Sequence, residues 1–216
     1  MKRLVVRLAV IAGAGAGALL LGSCATMSKD QCLAGAWGEV GFADGAEGYP
    51  MSRLDDHAKA CAKYGVGPDL AAYGSAREDG LLRYCTPERG FVEGREGDSY
   101  HGVCSPAQEA LFMPAYRDGQ VVREAEAAVE EAESRVERLD DRIDDLKDDL
   151  EAQERELGKD GLTDEQKQAI RERIRRLRDD RRDAQRDRSD AQSDLDDAER
   201  DARQVRLHFV GIYGPW

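Results

Sequence analysis

Cysteine is the residue type whose number and spacing point to a definite chemistry in this chain. The sequence contains five cysteines. Four of them are separated by gaps of about 20 to 30 residues, whereas zinc sites use close pairs such as C-x-x-C. An even set in an oxidising compartment predicts two disulfides and no metal site, with three connectivities possible. These four are Cys32, Cys61, Cys85 and Cys104.

The fifth cysteine, Cys24, follows a segment that is typical of a secretory signal. Three of the first seven residues are basic, an apolar, Ala- and Gly-rich run follows over 8–21, and small residues then precede the cysteine. A transmembrane anchor is the alternative interpretation. It requires about 20 apolar residues, and this run is shorter and contains three glycines. We therefore predict a signal peptide over residues 1–23.

The tetrapeptide Leu21-Gly22-Ser23-Cys24 resembles the lipobox of bacterial lipoproteins. The resemblance implies that the Cys24 thiol takes a diacylglycerol, that the preceding peptide is cleaved and that the new amine is acylated. Several acyl chains anchor a protein stably without a transmembrane helix. Because no Asp follows the cysteine, the resemblance also implies the outer membrane of the bacterial cell envelope, with the protein facing the periplasm.

No residues form a recognisable catalytic pattern. The three histidines, His57, His101 and His208, stand far apart, and no H-E-x-x-H, G-x-S-x-G or phosphate-loop motif occurs. Asp44 and Glu93 occupy equivalent places in two similar segments and would make a paired acid site if they met. Turns at helix ends also use Asp-Gly for conformational reasons, and we favour that interpretation. We expect no enzymatic activity and no cofactor, and the net charge of −12 argues against nucleic-acid binding.

The two similar segments indicate an internal duplication. GFADGAEG at 41–48 recurs as GFVEGREG at 90–97, and a His followed closely by a Cys comes after each copy. The duplication favours the pairings Cys32–Cys61 and Cys85–Cys104. No β-rich run precedes the glycines, so helix ends and close contacts explain them better than a phosphate loop does.

Cap signals predict that this region is helical. Ser52 stands three residues before Asp55, and both Thr86-Pro87 and Ser105-Pro106 offer a cap followed by Pro at the first turn. We expect short helices near 30–41, 52–64 and 68–83, and a further helix from 106 onward. After a short linker at 24–30, residues 31–119 should form a small disulfide-stapled, Gly-rich helical domain.

Residues 120–205 follow a heptad pattern that is interrupted once. Gly158 and Gly161 stop the first arm, and Thr163 with Gln166 forms a capping box that restarts the helix, so the hinge lies at 158–162. Apolar and small residues recur at alternating spacings of three and four, with a few polar ones among them. The seam residues are Val122, Ala125, Val129, Ala132, Val136, Leu139, Ile143, Leu146, Leu150, Gln153 and Leu157, then Ile170, Ile174, Leu177, Arg181, Ala184, Arg188, Ala191, Leu195, Ala198, Ala202 and Val205.

Folding the chain back about Asp160 places one seam against the other and pairs Leu150 with Ile170. Charge supports this register, because residues 132–153 hold nine acids against four bases and residues 167–188 hold ten bases against five acids. Complementary flanks select the pairing partner. We predict an antiparallel coiled-coil hairpin within one chain, with a parallel dimer as the alternative.

The same register returns the C-terminal tail, residues 206–216, to the stapled domain, with Phe209 beside Leu111. Burying one large apolar side chain contributes about 1.5 to 3 kcal/mol. We therefore expect the tail to pack on the first domain and not to serve as an exposed peptide for a membrane or a partner. The fold class is all-α, a small stapled domain followed by a long hairpin.

A set of spaced residues in the first half of the chain resembles an uncharacterised bacterial lipoprotein family, domain of unknown function 2799. The resemblance covers residues 24–120 and implies an envelope lipoprotein, but no activity, ligand or site. The residues that carry it are Trp37, Gly41, Asp44, Gly45, Gly48, His57, Cys61, Gly67, Pro68, Asp69, Tyr73, Gly80, Leu81, Tyr84, Cys85, Tyr100, Val103, Cys104, Phe112, Tyr116 and Gly119.

These observations favour a structural or interaction protein. The expected partners are the membrane, through lipid on Cys24, and an envelope protein or the cell wall at the hairpin. A ligand-binding or enzymatic module in the duplicated domain is the alternative.

Overall fold

The computed structural model describes residues 26–216, and this part of the chain folds into seven helices without a strand. The all-α prediction is confirmed. The predicted signal peptide and Cys24 lie outside the described residues. The helices are α1 (Lys29–Ala34), α2 (Trp37–Ala46), α3 (Arg53–Ala62), α4 (Leu70–Tyr84), α5 (Pro87–Glu96), α6 (Pro106–Leu157) and α7 (Asp164–Tyr213).

The first five helices and the start of α6 form the stapled domain. Helix α2 packs against α4, and α5 packs against the first turns of α6, so the domain contains two packed helix pairs. The domain has two small cores, and the second is built from the end of α4 and the start of α6. Tyr73 belongs to the first core and Phe112 to the second, and neither is exposed to solvent.

Two local features differ from the sequence-based expectation. The helix expected over 30–41 is two helices, because Gly35 adopts a left-handed backbone (φ 65°) that ends α1 before α2 begins. Helix α5 was not predicted, although its cap was recognised: Thr86 accepts a hydrogen bond from the Arg89 amide, and Pro87 occupies the first turn. Two interior residues of this ten-residue helix, Gly90 and Gly94, lower its helix propensity.

Helices α6 and α7 form a long antiparallel hairpin. Helix α6 runs without a break from the domain into the hairpin, so the boundary expected after residue 119 falls inside one helix. Thr163 and Gln166 form the predicted capping box of α7. At 1.5 Å per residue, the 52 residues of α6 extend about 78 Å.

The seam of the hairpin is the one that the heptad pattern predicts. All the seam residues from Val122 to Leu157 and from Ile170 to Val205 are buried or half-buried, while nearly all the residues between them are exposed. Val136 and Ala191 are among the buried members.

The register of the hairpin differs from the prediction. The predicted register places Asp180 opposite Asp140, but Asp140 pairs with Arg188 at 3.0 Å. Arg135 likewise pairs with Asp194 at 3.1 Å. These partners lie roughly two turns further along α7 than expected. Because a shift of about one heptad again brings seam residues opposite seam residues, the apolar pattern does not distinguish the two registers.

The C-terminal segment extends α7 and packs at the base of the hairpin. Phe209 is buried in a cluster with Phe91 of α5 and Val122 of α6, and Trp216 packs against the same cluster. Leu111, the neighbour that the predicted register gave to Phe209, is 63% exposed. Among residues 26–216 no helix is long and apolar enough to cross a membrane.

Candidate functional site

The four cysteines of the domain form two disulfides. Cys32 bonds to Cys61 and Cys85 bonds to Cys104, with Cα atoms 5.4 and 5.6 Å apart. These are the pairings that the duplication favours. The first bond ties α1 to α3, and the second ties the end of α4 to the segment before α6. Because all four thiols are consumed, none of them is available as a nucleophile.

Glycines let the two helices of each pair touch. A Cβ atom on Gly45 of α2 would overlap the Arg77 backbone of α4, and one on Gly80 of α4 would overlap the Phe42 backbone. The second pair repeats this arrangement, with Gly94 of α5 against the Tyr116 backbone. The duplication predicted from the sequence is therefore a duplication of structure, and the glycines serve close helix packing.

Asp44, the first of the two predicted carboxylates, lies in a buried hydrogen-bonded cluster. The His57 Nε2 atom lies 2.7 Å from Asp44 Oδ2, and the Tyr73 hydroxyl donates to the same oxygen at 2.5 Å. Burial raises the pKa of the Tyr73 hydroxyl, and the hydrogen bond to Asp44 raises it further. The cluster connects α2, α3 and α4, so its polar groups hold three helices in place.

Glu93, the second carboxylate, has different partners. Its side chain is almost fully buried, Tyr84 donates a hydrogen bond to Oε2 at 3.3 Å, and Arg89 Nε lies 2.7 Å from Oε1. Burial raises the pKa of Glu93, and the Arg89 charge partly opposes the shift. Burial and the nearby Glu93 charge likewise raise the pKa of the Tyr84 hydroxyl.

The two carboxylates do not share a site. Asp44 contacts His57 and Tyr73 in the first helix pair, whereas Glu93 contacts Tyr84 and Arg89. The alternative of a paired acid site is thus not supported by their contacts. The two histidines occupy equivalent places in the sequence repeat but not in the structure, because His57 is buried and His101 is exposed.

A small polar cleft opens where the two copies meet. Its volume is about 170 Å³, and the Glu47 carboxylate from the first copy pairs across it with Arg89 of the second at 2.8 Å. Glu93 lies at its buried side. The other lining residues are Tyr49, Asp98, Ser99 and His101. Space of this size admits a few water molecules or one small polar group.

Sequence reasoning missed Arg89 and Glu47 as cleft residues. The repeat was the available signal in the sequence, because corresponding segments of the two copies make corresponding contacts in the structure. Arg77 donates to the Tyr49 carbonyl in the first copy, and Tyr116 donates to the Asp98 carbonyl in the second. Within residues 26–216 no group of His, Cys, Asp and Glu side chains is arranged to hold a metal ion.

Comparison with known proteins gives one match. No curated protein and no solved structure matches the chain. The family model described as "Protein of unknown function (DUF2799)" matches residues 36–121. The match begins directly before α2, runs through both helix pairs and ends within α6. The duplicated domain of this chain is therefore a DUF2799 domain.

Proposed function

We propose that the chain is a lipid-anchored protein of the bacterial cell envelope whose DUF2799 domain holds a helical rod for interaction with an envelope protein or the cell wall. The rod is defined as residues 120–205. Most of its exposed residues are charged. In this proposal the domain lies near the membrane, since it begins a few residues after Cys24, and the rod extends into the periplasm.

The observation that supports this proposal best is the double attachment of the rod to the domain. Helix α6 continues from the domain into the rod, and α7 returns to place Phe209 and Tyr213 on Phe91 of α5. The Tyr213 hydroxyl also donates to Asp118 at 2.7 Å. The two attachments fix the direction of the rod relative to the domain. A fixed direction suits a protein that presents the tip of its rod at a distance from the membrane.

The anchor is tested by replacing Cys24 with Ser in cells fed a labelled fatty acid. We expect the label to be lost, because one thiol carries the diacylglycerol. The disulfides are the internal control, since Cys24→Ser leaves both pairs intact and the secreted chain should stay folded. A variant that still takes up the label at wild-type level would contradict the lipid anchor.

The interaction role is tested by photo-crosslinking in cells from Lys159 at the tip. We expect crosslinks to a discrete partner from this position and none from Leu82, which is equally exposed but lies on the domain. Scrambling the exposed charges of the rod while keeping its seam should abolish these crosslinks. If they are unchanged by scrambling, the rod surface does not bind the partner.

A second candidate function is binding of a small polar ligand in the cleft between the copies. The buried Glu93 carboxylate beside Arg89 favours it, because a partly desolvated charge at the wall of a cleft is a common feature of binding sites. Screening amines and guanidinium compounds for a rise in melting temperature tests this idea. A ligand that raises the melting temperature of Glu93→Gln as much as that of the wild type does not bind in the cleft.

A further inference from the structure

The rod carries two short segments of opposite charge near its tip. The basic segment, residues 167–178 at the start of α7, contains six basic residues and one acidic residue. The acidic segment, residues 140–151 of α6, contains seven acidic residues and two basic residues. The two segments have equal length and equal and opposite net charge, and almost all their charged side chains are exposed.

The observed register leaves most of these charges without a partner in the same chain. Asp140 pairs with Arg188, and Glu154 pairs with Arg178 at 2.8 Å. In residues 26–216 the other acids of the acidic segment, except Glu151, form no ion pair. They are Asp141, Asp144, Asp145, Asp148 and Asp149. The basic residues Lys167, Arg171, Arg173 and Arg176 form none either.

The arginines further along α7 behave differently. Arg182, Arg186 and Arg200 each pair with an aspartate three residues earlier in the same helix. The basic segment has one such neighbour, Glu172, and it contacts Arg175 at the long distance of 3.9 Å. The basic segment of α7 is thus a cationic surface near the tip of the rod, on a chain whose net charge is −12.

An apolar contact area accompanies the charges. Leu157 and Ile174 lie in a groove of about 400 Å³ whose other walls are the side chains of Glu154, Arg171, Arg175 and Arg178. Such a groove admits an apolar side chain while the arginines around it meet carboxylates. The arginines around the groove therefore suit an acidic helix, and the acidic segment of this same chain is one.

We propose that the tips of two copies overlap antiparallel, so that the basic segment of each α7 lies along the acidic segment of the other copy's α6. A twofold axis makes both contacts at once, because the interface of such a dimer is self-complementary. This inference names the partner of the rod tip and rests on the proposed interaction role of the rod. Pairing of exposed charges makes the dimer dependent on ionic strength.

The first test measures the mass of the full chain in a density-matched detergent by sedimentation. We expect dimers at low ionic strength and monomers at high ionic strength. Arg171→Glu/Arg173→Glu should raise the dissociation constant at least about tenfold, because like charges then face each other. Arg117→Glu/Arg203→Glu is the matched control, since both arginines are exposed at the base of the rod, and it should change the constant less than about twofold.

A charge swap keeps the test decisive if the tip variant folds poorly. Adding Asp145→Lys/Asp148→Lys to the tip variant restores opposite charges across the interface, and we expect dimers to return. A wild-type chain that is monomeric at low ionic strength would overturn the proposal. Equal weakening by the tip variant and the base control would overturn it as well.

The second test uses a photoreactive residue at Lys147 in a mixture of chains of two lengths. Crosslinks between chains that map to residues 167–178 support the dimer. Crosslinks only within one chain mean that α7 slides along α6 to neutralise the charges, and they overturn the proposed dimer.

The two proposals can fail separately. If the purified chain is monomeric but Lys159 still crosslinks a different envelope protein in cells, the tip dimer is refuted and the proposed function stands. A tip dimer with no crosslink from Lys159 in cells removes the proposed function instead.

Discussion

Single glycines decide how closely the helices of the domain approach. A methyl group at Gly45 would overlap the backbone of α4, whereas one at Gly38, on the same helix, would meet its nearest atom at 3.9 Å. We expect Gly45→Ala to lower the free energy of unfolding by at least about 2 kcal/mol through overpacking. Gly38→Ala should be neutral or stabilise by up to about 1 kcal/mol through helix propensity. Urea unfolding measures both, and equal effects would contradict the close packing.

Glu93 makes stability depend on pH at the residue scale. Because burial raises its pKa above the ordinary value of 4.5, the folded state binds this proton more tightly than the unfolded state does. The stability that this proton contributes is complete below pH 4.5 and is lost as pH rises through the raised pKa. We therefore expect Glu93→Gln to gain stability relative to the wild type as pH rises from 4 to 7. If the free energies of unfolding of the wild type and of Glu93→Gln change in parallel with pH, the raised pKa of Glu93 is contradicted.

At the scale of elements, the disulfides stabilise the domain and the rod depends on its seam. The bonds close loops of 29 and 19 residues, for which loop entropy gives about 3 to 4 kcal/mol each. We expect reduction to unfold the domain at a lower temperature while most of the far-UV helical signal, which comes from α6 and α7, persists. Loss of the whole signal in one step would show that the rod is not independent of the disulfides.

The sequence predicted which residues of the rod face each other as a seam, but not their register. Seam positions follow from the spacing of apolar residues within each helix, so Val136 and Ala191 could be assigned without knowledge of the partner helix. Register depends on contacts between helices, and the heptad repeat makes shifts of about seven residues nearly equivalent. The charge argument favoured one of these, whereas Arg188 and Arg135 pair in another.

The domain shows the same division between local and long-range information. The repeat located Asp44 and Glu93 and favoured the two disulfide pairings, and cap signals predicted where α3, α6 and α7 begin. The partners of the carboxylates were not predictable, because Tyr73 and His57 lie on other helices that become neighbours only after folding. Helix α5 was missed because tertiary packing, and not helix propensity, stabilises a segment with Gly90 and Gly94 in its interior.

Phe209 is the most buried aromatic side chain that α7 contributes to its attachment to the domain. Phe209 is 7% exposed and packs against Phe91, with ring centroids 6.0 Å apart. We expect Phe209→Ala to lower the free energy of unfolding by about 3 kcal/mol or more, as for other large core truncations. Leu207→Ala, two residues earlier and 70% exposed, should change it by less than about 0.5 kcal/mol. Chemical denaturation compares them, and equal losses would contradict the burial of the tail.

For the whole molecule, the arrangement of a small domain and a long hairpin predicts an extended shape. A compact chain of 216 residues has a radius of gyration of about 17 Å, whereas a domain joined to a rod built on a 78 Å helix should give at least about 25 Å. Small-angle X-ray scattering of the chain at high ionic strength, where tip contacts are screened, measures this value. The forward scattering should match the mass of one chain, since the hairpin forms within a chain. A parallel coiled-coil dimer would double that mass and keep it doubled at high ionic strength, because its apolar seam is insensitive to salt.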